Sequence, residues 1–189
     1  MDAIELLTSR SSMPRLTEPA PDRESMQIIQ RAALRAPDHM ALTPFRCDVV
    51  EGDQLVEMGK LFEQAAHRDA GFTEQDKLRA AQLPLRAPML IVVSTQYQEH
   101  NNVPRWEQLA SAACATMAMQ QACFALDYGA IWRSGPYCDS PTVKAGLNID
   151  SANQIVGFLY VGTPAVPTPI KPEKQASIFN SPRIQLPNT

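Results

Sequence analysis

Residues 109–126 read Leu109-Ala-Ser-Ala-Ala-Cys-Ala-Thr-Met-Ala-Met-Gln-Gln-Ala-Cys-Phe-Ala-Leu126, and this stretch decides how the 189-residue chain must fold. Pro104 precedes it and Gly129 follows it, which is the usual asymmetry of a helix start and end. Because apolar and small side chains occupy almost every position, the whole circumference of the helix favours burial. We therefore expect a long central helix that is buried on all sides, and such burial is easier in a dimer than in one short chain.

Shorter elements are expected on both sides of this helix. Residues 1–10 predict an amphipathic helix with Ala3, Ile4, Leu6 and Leu7 facing inward. Further helices are indicated by Asp22 before residues 23–35, by residues 54–66, by the capping-box pair Thr73 and Asp76, and by Ser140-Pro141. Strands are indicated over residues 45–51, 88–94 and 154–162, and a short strand or a turn over residues 130–133. The strand over 88–94 is apolar throughout, which predicts burial on both of its faces.

The charge balance excludes two classes of partner. The chain has 17 Lys and Arg against 20 Asp and Glu, for a net charge of −3. Without a basic excess, we expect no nucleic-acid partner and no attraction to an anionic membrane surface. No apolar run approaches the roughly 18 residues that a membrane span needs, and the acidic N-terminus is unlike a signal peptide. The sequence therefore predicts a cytoplasmic protein.

The common metal-binding and nucleophile motifs are missing from the sequence. The four cysteines, Cys47, Cys114, Cys123 and Cys138, form no Cys-x-x-Cys pair, and no His-x-x-x-His occurs. Cys114 and Cys123 are nine residues apart, which places them on opposite faces of a helix. We expect no metal site and small, buried thiols in a reducing compartment. The dinucleotide, P-loop and Gly-x-Ser-x-Gly patterns are also absent, so the sequence predicts neither a nucleotide fold of those types nor a serine nucleophile.

Three polar segments at the ends of predicted elements are the candidate functional residues. They are Arg10-Ser11-Ser12, the pair Arg35 and His39, and Trp132-Arg133-Ser134. An arginine beside hydroxyl groups can hold a phosphate, because the guanidinium makes charge-assisted, bidentate hydrogen bonds. Each segment also has an ordinary structural interpretation. Arg10 is then a solvated charge, His39 a loop histidine that caps a backbone group, and Trp132 a core aromatic beside a snorkelling arginine.

Taken in order, several segments resemble the nitroreductase family, in particular a small bacterial branch of it. The opening Met1-Asp-Ala-Ile-Glu-Leu-Leu-Thr-Ser-Arg-Ser-Ser12 resembles the first helix and the Arg-Arg-Ser or Arg-His-Ser loop of that family. Five further segments carry the resemblance: Arg31–His39, Val103–Gln108, Met117–Gln120, Ile131–Gly135 and Ile155–Pro164. The resemblance therefore covers residues 1–164 as a single FMN-binding domain and leaves residues 165–189 as an extended, proline-rich tail.

The resemblance implies a fold, a cofactor and a partner. It implies an α+β fold with a mostly antiparallel central sheet flanked by helices, including the long buried helix. It also implies an obligate homodimer with FMN at the interface between subunits. The activity implied is transfer of electrons from NADH or NADPH to a small acceptor such as a nitroaromatic or a quinone, in alternating steps. The flavin performs this chemistry, so no catalytic side chain is expected.

By position, the resemblance also assigns roles to individual residues. Arg10, Ser11 and Ser12 match the loop that holds the phosphate and ribityl groups of FMN. Arg35 and His39 match residues that reach the partner subunit's flavin, and Trp132, Arg133 and Ser134 match a second phosphate-side segment.

Two departures from the family pattern stand out. Ser11 replaces the second Arg or His of the opening triplet, and Pro14 stands where many members carry a Lys or Arg. Arg15, one residue later, is our candidate for a cation at the flavin edge. These departures keep a second interpretation open, a non-catalytic flavin-binding or storage protein of the same fold. A third, a helical binding domain whose matches are coincidental, predicts a colourless protein.

Overall fold

The structure is a computed structural model that describes residues 1–167, 172 and 178–181. Its α-helices are α1 Ala3–Ser9, α2 Arg23–Ala33, α3 Asp53–Arg68, α4 Glu74–Arg79, α5 Arg105–Ala125, α6 Pro136–Asp139 and α7 Pro141–Gly146. Its strands are β1 Leu16–Thr17, β2 Phe45–Glu51, β3 Met89–Thr95, β4 Gly129–Arg133 and β5 Ile155–Pro164. The expected tail over residues 165–189 lies mostly outside the described residues.

Side-chain caps start the helices where the sequence predicts them. The carboxylate of Asp22 accepts a hydrogen bond from the backbone N–H of Ser25 at 2.8 Å. Thr73 and Asp76 form the predicted capping box at the start of α4. Ser140 caps α7 by accepting from the N–H of Val143. These local hydrogen bonds satisfy donors that the first turn of a helix leaves free, which is why they can be predicted without tertiary information.

All strand pairings among the described residues are antiparallel, and β5 is the central strand. It pairs with β3 along one edge and with β4 along the other, and its last two residues pair with β1. The strand β2 pairs with β3 at the edge of the sheet. Every residue of β3 is buried, as predicted from its apolar sequence. This confirms the α+β fold with an antiparallel sheet.

Helices cover both faces of the sheet. On one face, α3 contributes Phe62 to a cluster that includes Leu90 and Phe158. On the other face, α2 and α5 contribute Ile29 and Met119 to a second cluster. No helix within the described residues combines the length and apolarity that crossing a bilayer requires.

The prediction that α5 is buried on all sides is wrong for the single chain. One face of α5 packs on the sheet and α2, but a stripe on the opposite face is exposed, and Trp106 and Met117 are 68% and 49% accessible there. Ala110 and Cys114 lie between them on the same stripe. A helix in an outer layer has only one face against the sheet, so its second apolar face has no cover within the chain.

Two further expectations about burial are also wrong. The short helix α1 leaves Ile4 and Leu7 exposed, because it contacts the body of the chain mainly through α5 and only Leu6 is half-buried. Cys114 is exposed and Cys47 half-buried, whereas Cys123 and Cys138 are buried as expected. The opposite placement of Cys114 and Cys123 follows the predicted half-turn difference between them on α5.

Gly157→Ala should lower the free energy of unfolding by about 2 kcal/mol, since overpacked sites resist added methyl groups. A Cβ at Gly157 would lie 2.1 Å from Nε1 of Trp132 and 2.9 Å from the carbonyl oxygen of Arg133. Gly146→Ala is the matched control, because its Cβ would meet only the flexible end of the Leu61 side chain at 2.5 Å. Urea unfolding followed by circular dichroism measures both, and equal losses would contradict the role of the Trp132 contact.

Candidate functional site

The loop after α1 lies against the start of β4 and the middle of α5. The backbone N–H of Met13 donates to the carbonyl oxygen of Ala130 at 3.0 Å. Gln120 of α5 donates to the same oxygen at 3.2 Å and to Oγ of Ser12 at 3.4 Å. Ser11 is buried at 5% exposure beside them. The buried amide of Gln120 therefore fixes the predicted phosphate loop against the strand that carries Arg133.

Arg10 ends α1 at the entrance of this loop. Its Nη1 is buried and has no hydrogen-bond partner within the described part of the chain. A guanidinium has five N–H donors and no acceptor, so a buried nitrogen of this kind needs an oxygen acceptor, best an anionic one. The structure thus leaves Arg10 with a donor that a bound anion would satisfy.

Trp132 and Arg133 lie on opposite faces of the sheet, as adjacent residues of a strand must. The indole of Trp132 packs with the cluster beside α5 and donates to the carbonyl oxygen of Val156 at 3.3 Å. The guanidinium of Arg133 lies 5.7 Å from the ring centre of Tyr160 on the other face. Its Nε is buried and has no partner among the described residues.

Arg133 and Ser134 line a cavity of about 370 Å³ between the sheet and the segment over residues 73–86. The other lining residues are Phe62, Asp76, Arg79, Leu83, Arg86, Ile131, Trp132, Pro136, Tyr137, Phe158 and Tyr160. Local sequence patterns do not single out Arg79, Arg86, Tyr137 or Tyr160, because arginines and tyrosines in such positions are also common as ordinary surface and core residues. Only the alternation along β5 offered a signal for Tyr160.

The cavity has an excess of positive charge. Oδ1 of Asp76 accepts from Nη2 of Arg79 at 2.5 Å, and Oδ2 accepts from the N–H and hydroxyl of Thr73. The hydrogen bonds from Thr73, with the Arg79 contact, lower the pKa of Asp76 to about 2, so this carboxylate is ionised and neutralises Arg79. No acidic side chain in the described residues forms an ion pair with Arg86 or Arg133.

Two tyrosines of the cavity are protonated at neutral pH. Burial raises the pKa of Tyr160 to about 12, although the charges of Arg133 and Arg86 act in the opposite direction. Burial, together with the negative charge of Asp76, also raises the pKa of Tyr137. Both phenols therefore remain neutral hydrogen-bond donors under physiological conditions.

Arg35 and His39 lie elsewhere, on the outer side of α5. Nδ1 of His39 is 2.8 Å from Oε2 of Glu107, and the two residues border a cleft of about 200 Å³ beside Trp106. Arg35 lines a neighbouring groove of about 440 Å³ that includes Met117. No hydrogen bond or ion pair within the described residues joins Arg35 or His39 to the other candidate residues.

The backbone of the His39 loop is strained. Met40, Ala41 and Thr43 have φ values of 64°, 53° and 47°, in the left-handed region that non-glycine residues seldom adopt. Such conformations persist only where neighbouring contacts hold them, and they occur often at functional sites. Here Ser111 of α5 donates to the carbonyl oxygen of Pro37 at 2.8 Å and holds the start of the loop.

Arg15 lies outside the cavity. It is exposed, and its carbonyl oxygen accepts from the N–H of Ala165 at 3.0 Å, where β1 meets the end of β5. Within the described residues, no group of three or more His, Cys, Asp or Glu side chains is arranged to hold a metal ion.

Comparisons with known proteins connect this architecture to one family. A model of the nitroreductase family matches residues 7–163. An Escherichia coli K12 protein named "Putative NAD(P)H nitroreductase YdjA" is 46% identical over 164 residues, which are 87% of this chain and 89% of that protein. A Haemophilus influenzae protein named "Putative NAD(P)H nitroreductase" is 35% identical over 86% of this chain and 89% of its own length.

Solved structures show the same fold. A nitroreductase-like family protein from Bacillus cereus superposes with a TM-score of 0.79 at 19% identity, covering 96% of this chain and 97% of that one. A Bacteroides fragilis nitroreductase with bound FMN gives 0.75 at 20% identity, covering 96% and 100%. Because the family match spans most of the chain and the sequence relatives share a third to a half of their residues with it, this chain belongs to the nitroreductase family.

Proposed function

We propose that this protein is an FMN-dependent oxidoreductase that passes electrons from NADH or NADPH to a nitroaromatic, a quinone or a similar small acceptor. The observation that carries the proposal is a pair of buried guanidinium nitrogens, Nη1 of Arg10 and Nε of Arg133, that have no partner among the described residues. The family membership and the relatives named as NAD(P)H nitroreductases support the electron donor. The Bacteroides fragilis structure, which contains FMN, supports the cofactor.

The residues present fit the chemistry of FMN. A phosphate dianion offers the acceptors that the free donors of Arg10 and Arg133 require, and each charge-assisted bond gains from burial. Ser12 supplies a hydroxyl at the same loop, and Gln120 holds that hydroxyl in place. We propose that residues 1–164 form one FMN-binding unit, with Ser11 and Ser134 as additional donors from the two segments.

FMN, when bound, supplies hydride and electron transfer, which no side chain of the protein can perform. The protein's own contribution is to bind, orient and shield. Arg10 and Arg133 would hold the phosphate of the cofactor. The indole of Trp132 is immobilised by Val156 and by the close backbone of Gly157, so it would offer the cofactor a rigid aromatic surface that excludes water. For Arg15 to act as a cation at the flavin edge, its exposed side chain would turn towards the loop that follows α1.

The exposed stripe on α5 supports a homodimer. Trp106, Ala110, Cys114 and Met117 form a contiguous apolar surface, and α1 adds Ile4 and Leu7 on its own exposed side. Contiguous apolar surface of this kind marks a protein–protein interface in soluble proteins. A second copy packed on this stripe would border the loop of Arg35 and His39. We therefore propose that this loop completes the flavin site of the partner subunit.

The purified protein should be yellow, and NADH or NADPH should bleach it anaerobically, because FMN absorbs visible light only when oxidised. An acceptor such as a nitroaromatic or a quinone should then restore the colour. Stopped-flow absorbance measures both steps. A yellow protein that neither donor bleaches within minutes would instead support the storage interpretation, and a colourless protein would contradict both.

Arg10→Ala and Arg133→Ala should each weaken FMN binding about tenfold or more, since a hydrogen bond to a charged group contributes roughly 1.5–3 kcal/mol. Arg31→Ala is the control, because Arg31 is an exposed arginine of α2 outside the two segments. FMN retained per subunit after desalting measures the effect. Full retention in both variants would remove the phosphate role of these arginines.

Mixed dimers should show whether the flavin site is shared. One chain carries Arg10→Ala, the other carries Arg35→Ala with His39→Ala, and two different tags isolate the heterodimer. If Arg10 of one subunit and His39 of the other build each site, this heterodimer has one intact site and binds about half of the wild-type FMN. Both mutant homodimers should bind little.

The matched control places all three substitutions on one chain and pairs it with a wild-type chain. A shared site leaves that heterodimer with no intact site, whereas a site built within one chain leaves it with one. The two heterodimers therefore have opposite outcomes under the two geometries. A chain that stays monomeric, or FMN binding restored only in the control, would contradict the shared site.

A further inference from the structure

The side chain of Glu107 holds one ring nitrogen of His39. Oε2 of Glu107 lies 2.8 Å from Nδ1 of His39. Glu107 stands in the first turn of the 21-residue helix α5, where the helix dipole stabilises a negative charge. An ionised carboxylate only accepts hydrogen bonds, so Nδ1 carries the proton of this contact. The other ring nitrogen, Nε2, is therefore left without a proton whenever the imidazole is neutral.

No second acidic group competes for His39 in this cleft. Asp38 also borders the cleft, but its Oδ2 accepts from the backbone N–H of Thr43 at 2.6 Å. Within the described residues, the contact with Glu107 is the hydrogen bond that the His39 ring makes. Glu107 therefore fixes both the orientation of the imidazole and the nitrogen that carries its proton.

Other residues hold the backbone of the His39 loop. The amide of Gln108, which is 1% exposed, accepts from the N–H of Gln98 at 2.9 Å and donates to its carbonyl oxygen at 2.8 Å. The side chain of Gln98 in turn donates to the carbonyl oxygen of Leu42 at 2.6 Å. Ser111 holds the start of the loop separately. Because none of these contacts involves Glu107, its removal should leave the loop in place and release only the imidazole.

We propose that Glu107 is a positioning residue of the flavin site, because it holds His39 as the Nδ1–H tautomer and so presents Nε2 as a hydrogen-bond acceptor. An acceptor of this kind suits an N–H group of the flavin ring, whereas the opposite tautomer would present a second donor. The place of His39 beside the partner subunit's flavin rests on the proposed function. The tautomer follows from the contact with Glu107 itself.

NMR of the purified protein, labelled with nitrogen-15 in its histidine rings, measures the tautomers directly, because protonated and unprotonated ring nitrogens differ widely in chemical shift. His39 should be the Nδ1–H tautomer in alkaline buffer, in which imidazoles carry no charge. His100 is an internal standard of the opposite kind, since its Nδ1 accepts from the backbone N–H of Asn102 at 3.2 Å. The chain has three histidines, so substituting each in turn assigns the signals.

Glu107→Ala should move His39 towards the Nε2–H tautomer and leave the signal of His100 unchanged. The matched control is Glu57→Ala, which removes a carboxylate that accepts from Lys60 at 2.8 Å on the surface of α3. This control should change neither histidine. The inference is overturned if His39 has the same tautomer as His100 in the wild type, or if its Nδ1–H tautomer survives in Glu107→Ala.

FMN affinity distinguishes a positioning role from general support of the fold. Glu107→Ala and His39→Ala should each weaken FMN binding by about tenfold, as the loss of a hydrogen bond of this kind does. The double variant should bind FMN no more weakly than His39→Ala, since two residues that act through one contact are not additive. A loss of roughly a hundredfold in the double variant would show that Glu107 acts independently of His39, against the inference.

The two measurements separate a failure of this inference from a failure of the proposed function. A protein that binds no FMN refutes the proposed function, and the role of Glu107 at a flavin site falls with it. FMN binding that Arg10→Ala weakens, but that neither Glu107→Ala nor His39→Ala changes, leaves the proposed function standing and overturns the inference alone. A thermal melt of each variant confirms that it is folded.

Discussion

Helix α5 has two apolar faces, and the sheet of one chain can cover only one of them. Its inner face carries Met119 and Cys123 into the core beside α2 and the sheet. Its outer face exposes Trp106 and Met117, which places an uncovered apolar surface beside the loop of His39. Both the proposed dimer and the proposed shared flavin site depend on this uncovered apolar face of α5, because apolar surface gains free energy when it is removed from water.

A second constraint comes from unpaired donors. Arg10, Arg133 and Tyr137 each have a buried nitrogen or oxygen without a partner within the described residues. Buried polar groups in folded proteins are almost always paired, so such groups indicate ligands rather than defects. The fixed elements around them, the capping box at Thr73 and the amide of Gln120, hold their neighbourhood in place. Binding would thus satisfy a pre-organised site.

The family and the secondary structure could be predicted from local patterns. The caps at Asp22 and Ser140 act within one helical turn. The uninterrupted apolar sequence of β3 is enough to predict that the strand is buried. The site was predictable only in part. The ordered segments around Arg10 and Trp132 carried the family resemblance, but Arg86 and Tyr137 have no local signal, because they meet only when distant segments pack against the sheet.

By itself, the sequence determined the helix starts, since capping and periodicity act over a few neighbouring positions, and its resemblance to one family implied the antiparallel α+β fold. Only the tertiary structure decided which face of α5 is covered, that Trp132 and Arg133 lie on opposite faces of the sheet, and that Arg86 joins Tyr137 in one cavity. The physical reason is that burial and charge compensation are properties of several segments packed together, and no single segment contains them.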